Sequence, residues 1–134
     1  MTDSPNVESV KRVIERWNGG DRTPPLDEVD PDIEVHTAIA GALSGKPFRG
    51  YDGVREWLEA LDEAFERWDI EPTEIRERGD TVVLLGVVHS KGRGSGLELD
   101  LATAWVADFR GGKTTRLRIF RDHDEALAAA GLAT

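Results

Sequence analysis

Leu97-Glu98-Leu99-Asp100-Leu101-Ala102-Thr103-Ala104-Trp105-Val106-Ala107-Asp108-Phe109-Arg110 is the stretch on which the fold turns. Its side chains sort with period two, the signature of a long strand. Leu97, Leu99, Leu101, Thr103, Trp105, Ala107 and Phe109 share one face, apolar enough to pack on helices. Glu98, Asp100, Ala102, Ala104, Val106, Asp108 and Arg110 share the other. That second face is polar at its ends and apolar at its centre. Ala102, Ala104 and Val106 therefore predict a flat homodimer surface.

Working outward, the same period predicts strands at 70–78, 81–89 and 114–121 beside the one at 97–109. Gly79-Asp80, the run 91–96 and Gly111-Gly112 are their hairpin connections. Upstream the period becomes helical. Val54, Trp57, Leu58, Leu61, Ala64, Phe65 and Trp68 form one apolar stripe on a helix expected to start near Asp52. Val7, Val10, Val13, Ile14 and Trp17 form another, with Ser4 as N-cap, Pro5 in the first position and Gly19-Gly20 as the stop. Between the helices, Pro24, Pro25 and Pro31 break the chain, 33–37 reads as a short strand, and Gly41, Gly45, Pro47 and Gly50 mark a loop with a strand fragment at Phe48. Asp122 caps a last helix, with Glu125 completing a capping box and 126–130 as strong helix formers. Helices followed by an antiparallel meander define an α+β domain.

The chain has 134 residues, the size of a single domain spanning 1–134. Hydrophobic residues at 39% against charged residues at 32% describe a globular chain. The absence of cysteine excludes disulfides, thiolate metal sites and a cysteine nucleophile. A formal charge of -9 argues against nucleic acid as a partner. No run of residues is long and apolar enough to cross a membrane, and Met1-Thr2-Asp3-Ser4-Pro5 is polar, so a cytoplasmic location is expected. Ala107-Asp108-Phe109-Arg110-Gly111-Gly112-Lys113-Thr114 mimics a phosphate loop, but strands flank it and a helix must follow for that chemistry. It reads as a hairpin turn, and no nucleotide binding is expected. His36, His89 and His123 lack ligand spacing, and Asp30-x-Asp32-x-Glu34 lacks the glycine and distal glutamate of a calcium loop. No metal and no cofactor are expected.

The pattern resembles the SnoaL-like proteins of the nuclear transport factor 2-like superfamily. Asp30-Pro31-Asp32-Ile33-Glu34 and Phe48-Arg49-Gly50-Tyr51-Asp52-Gly53-Val54-Arg55 resemble the family's front half. Ser95-Gly96, Gly111-Gly112-Lys113, Arg116, Phe120, Glu125-Ala126-Leu127 and Ala130-Gly131-Leu132 resemble its back half. The likeness runs over residues 5–132. It implies a cone, with a curved antiparallel sheet wrapped around N-terminal helices, an apolar pocket inside, and commonly a homodimer.

This cone hosts isomerases, cyclases, dehydratases, epoxide hydrolases and binders, so the family's catalytic residues must be sought one by one. The isomerases' tyrosine donor falls near Val13, their base near His36 or Thr37, and their protonated aspartate near Trp105. The epoxide hydrolases' carboxylate falls at Ile119, and the stretch 83–88, where their other groups fall, is uncharged. The cyclases' histidine falls near Trp105. No steroid isomerase activity is expected.

What remains is a short set. His36 is either a general base poised near neutral pH or a rim histidine bonded to backbone. Arg121 is either a donor that holds a carboxylate or polarises a carbonyl, or an exposed side chain at a strand end. Trp17, Thr103, Trp105, Leu117 and Ile119 are the candidate ligand-binding residues. The expected function is binding of a small, largely apolar organic molecule in the cone, with acid–base catalysis as an extension. The alternative is a non-catalytic dimerisation or partner-binding module whose pocket is filled by its own side chains.

Overall fold

A computed structural model describes residues 3–21, 25–37 and 47–132. The loop expected at Gly41 and Gly45 lies outside the described residues, as does Pro24. Helix α1 (Pro5–Asn18) is followed by β1 (Val29–Thr37), β2 (Phe48–Arg49) and α2 (Gly50–Ala64). Then come β3 (Phe65–Arg78), β4 (Thr81–Gly92), β5 (Glu98–Arg110), β6 (Lys113–Phe120) and α3 (His123–Ala129). One sheet runs in the order β2-β1-β6-β5-β4-β3. It is antiparallel from β3 to β6, and β1 lies parallel to β6. The sheet is curved and unclosed, as the cone requires. Register shifts at Phe65/Arg67, Pro72/Glu74 and Asp108/Phe109 supply places for the strands to bend.

The two expected N-caps, Ser4 and Asp122, are in place. Ser4 Oγ accepts from the Val7 amide at 3.2 Å, and Asp122 Oδ1 accepts from the Asp124 amide at 2.7 Å and the Glu125 amide at 3.3 Å. Gly111 and Gly112 turn between β5 and β6 with φ of 59° and 83°, conformations that suit glycine. The apparent phosphate loop is therefore a hairpin turn that leads directly into β6 rather than into a helix.

Several boundaries differ: β1 begins at Val29 rather than 33 and runs through Pro31, β4 extends to Gly92 rather than 89, and α2 stops short. The apolar stripe carried α2 through Phe65 to Trp68, yet α2 ends at Ala64 and β3 begins at once. Phe65 has φ -124° and ψ 133°, and from there Trp68 and Ile70 face inward with strand period. Trp68 satisfies both periods, so spacing alone does not decide. A distant residue settles the matter: Arg93, in the β4–β5 turn, donates from Nε and Nη2 to the Asp62 carbonyl at 3.0 and 2.8 Å. Its own amide donates to the Ala64 carbonyl at 3.1 Å. These bonds satisfy carbonyls that the end of a helix leaves orphaned.

The main core lies between the inner face of the sheet and helices α1 and α2. Trp17, Trp57, Trp68, Ile33, Leu58, Leu84, Trp105 and Ile119 are all buried in it. Trp17 meets Trp57 edge-on, with ring centroids 5.6 Å apart at 73°, and Trp68 at 6.0 Å and 64°. Leu97, just before β5, and Leu99, near its start, remain 58% and 43% exposed.

The outer face holds the main correction. The strip expected to be a dimer surface is internal to the chain. Ala104 and Val106 pack with Val83 and Leu85 against Ala126 and Leu127 of α3, and both are 0% exposed. Of the three residues of that strip only Ala102 is exposed. Burial on both faces explains why 82–88 is apolar almost without interruption. His123 fixes the start of α3: its Nε2 lies 3.1 Å from the carbonyl oxygens of both Gly86 and Thr103, so Nε2 carries the proton.

Candidate interior ligand site

The inner wall encloses two neighbouring cavities, of about 60 Å³ and about 40 Å³. Ile14, Ile33, Val35, Leu84 and Leu117 line the first. Phe65, Trp68, Leu101, Thr103 and Ile119 line the second. Trp17, Trp57 and Trp105 border both. Polar atoms are few, and Thr103 Oγ1 is already committed, donating to the Leu101 carbonyl at 3.0 Å. No ionisable side chain lines either cavity among the described residues.

All five residues expected to touch a ligand, Trp17, Thr103, Trp105, Leu117 and Ile119, lie on these walls. The two expected polar residues do not. Ile33, Val35 and Thr37 point inward from β1, so Glu34 and His36 point outward. His36 Nε2 lies 2.9 Å from Glu34 Oε1, and Arg49 Nη1 donates to Glu34 Oε2 at 2.8 Å. His36 and then Arg49 hold the Glu34 carboxyl below its ordinary value. Arg121 is exposed in the bend after β6, because the strand ends at Phe120 before the inward register reaches it. The structure thus brings the apolar set together and leaves His36 and Arg121 outside it.

Two residues that spacing did not single out set the walls. Asn18 Nδ2 donates to the Ile70 carbonyl at 2.8 Å, and Asn18 Oδ1 accepts from the Ile70 amide at 2.9 Å. This paired contact locks the end of α1 to β3 beside Trp17. Arg12 Nε and Nη2 grip the two oxygens of the largely buried Glu28, each at 2.9 Å. That pair ties α1 to the segment carrying Pro25 and Val29, which line the first cavity. An Asn before Gly-Gly signals a helix end, but nothing local points it at a strand 52 residues on.

Away from the cavities, His89 sits between two carboxylates, with Nδ1 2.6 Å from Asp100 Oδ1 and Nε2 2.8 Å from Glu71 Oε1. Asp100 first, then Glu71, raises its pKa above the ordinary 6.5. A raised histidine adds stability that is full below the unfolded value and lost as pH climbs through the folded one. His89→Gln is expected to remove that component. Urea midpoints at about pH 6 and about pH 9 test it: the wild type should lose more stability between them than the variant. Equal losses would refute the assignment.

Among the described residues no group of three or more His, Asp or Glu is placed to hold a metal ion. No described helix is long and apolar enough to cross a membrane.

A curved sheet folded over two helices around an apolar interior is the architecture of the nuclear transport factor 2-like class. The profile of the SnoaL-like domain matches residues 10–117, and the chain belongs to that family. A nuclear transport factor 2-like protein from Burkholderia pseudomallei superposes with a TM-score of 0.81 at 20% identity, over 94% of this chain and 97% of that one. A proposed SnoaL-like polyketide cyclase from a Jannaschia species gives 0.77 at 20% identity, over 99% and 96%. TerC, co-crystallised with polyporic acid, gives 0.78 at 25% identity, over 96% and 98%. No curated protein sequence matches the chain.

Proposed function

We propose that this protein binds a small, largely apolar organic molecule in the interior of its cone. The observation that carries the reading is the pair of adjoining cavities walled by Trp17, Trp57 and Trp105, with apolar side chains supplying nearly all the rest. The co-crystallisation of TerC with polyporic acid supports it by likeness. Acid–base catalysis inside the described cavities has no support, since none of their side chains titrates. His36→Ala and Arg121→Ala are accordingly expected to change affinity for apolar ligands less than about twofold.

A second reading, a partner-binding or dimerisation module with a filled interior, is favoured by the volumes. Cavities of about 60 and 40 Å³ fall well below the few hundred of a typical small-molecule site. Thermal shift and tryptophan fluorescence with a panel of uncharged aromatic compounds separate the two. Binding predicts a dose-dependent rise in midpoint and a change in indole emission. No response from any member would leave the filled module as the better account.

A further inference from the structure

The tryptophans of the interior differ in one respect. Trp68 donates from Nε1 to Asp62 Oδ1 at 3.3 Å. Trp17 Nε1 is sealed from solvent and has no hydrogen-bond partner among the described residues. Trp17 is only 5% exposed, and its ring borders both cavities. A buried N–H without an acceptor is a costly defect in a core, and one that native structures rarely keep without a reason. Water is a poor remedy here, because the surrounding walls are apolar. Relief by a shift of the helix is also blocked, since Asn18 holds the adjacent turn to Ile70 by two bonds.

We propose that the Trp17 indole N–H is the polar anchor of the interior site. It donates to an uncharged acceptor, such as a ketone or quinone oxygen, on an otherwise apolar ring compound. The inference rests on the ligand-binding reading above and adds the ligand's chemistry to it. The ring turns about its own side-chain torsions as the ligand takes the space of both cavities, and the N–H then meets its acceptor. A carboxylate or an ammonium is excluded, because no opposite charge lines the described walls to offset its desolvation. Thr103 does not compete for the role, since its hydroxyl proton is already given to Leu101.

The test uses acetophenone and α-methylstyrene, which have nearly the same shape and differ in bearing an oxygen or a methylene. Affinities for the wild type and Trp17→Phe form a cycle that cancels the hydrophobic difference between the two probes. The ratio of acetophenone to α-methylstyrene affinity is expected to fall about fivefold or more in the variant, the scale of one buried hydrogen bond. Indole NMR of the wild type gives a readout that needs no variant. The Trp17 indole proton is expected to move downfield with acetophenone and to stay with α-methylstyrene. Benzoate and benzylammonium are expected to displace neither probe. An unchanged ratio, or an indole proton indifferent to the carbonyl while both probes bind, overturns the anchor and leaves the ligand-binding reading intact. Failure of both probes to bind the wild type removes that reading, and the anchor with it.

Discussion

Trp57→Ala is expected to lower the thermal midpoint by about 10–20 °C, from a loss of about 3–5 kcal/mol. Trp57 is 3% exposed, projects from α2 into the main core and meets Trp17 edge-on. Removing it deletes that aromatic contact along with the burial of a large apolar surface. The side chain also borders both cavities, so its loss joins them into one larger space. An apolar cavity of that kind stays dry and takes up small aromatic molecules. Benzene or toluene should therefore recover part of the lost midpoint in proportion to its free concentration. A drop under about 5 °C would mean that α2 re-packs and that the tryptophan cluster does not organise the core. The comparison with the wild type separates the two functional readings. If the variant binds aromatic probes and the wild type binds none, the native interior is a filled core. If the wild type binds them too, the tryptophans line a working site.

The sequence reveals the fold because its signals are periodic and repeated. Alternation over 97–110 assigns faces residue by residue, and Thr103, Trp105, Ala107 and Phe109 do turn inward. The errors have specific physical sources. Phe65 and Trp68 fit helix and strand alike, and the end of α2 is decided by Arg93, some thirty residues away in sequence. The apolar outer face of β4 and β5 was legible as a surface in need of cover. Period alone does not say whether a second copy or the chain's own end supplies that cover. A helix as short as α3 (His123–Ala129) carries too few residues to advertise an apolar face. The site divides the same way. Apolar wall residues follow from strand parity, so Trp17, Thr103, Trp105, Leu117 and Ile119 gather as the faces require. His36 and Arg121 were selected by chemistry without a face to hold them. His36 has the parity of Glu34, and parity put it outside.

Removal of residues 122–134 is expected to turn the chain into a self-associating species, because it uncovers the outer face of β4 and β5. Val83, Ala104 and Val106 are 0% exposed and Leu85 is 7% exposed in the intact fold, with Ala126, Leu127, Ala130 and Leu132 packed over them. Two sets of polar contacts tie this cover to the sheet, the His123 bonds to Gly86 and Thr103 and a bond from Arg78 to the Gly131 carbonyl, while the Asp122 cap holds the start of α3 itself. Without the cover a flat strip runs from Ala102 through Ala104 to Val106, beside Val83 and Leu85. A contiguous apolar patch of this kind is the surface on which soluble proteins associate. Light scattering at tens of micromolar should give the truncated chain at least about twice the intact chain's mass, with a concentration-dependent midpoint. Ala126→Glu reaches the same result with the chain length unchanged, by setting a carboxylate against fully buried apolar residues. If both chains keep the intact mass and midpoint, α3 is not a cover and the burial of Ala104 and Val106 needs another explanation. If the intact chain is already a dimer, its interface must use residues other than Ala104 and Val106, since these have no surface left to offer.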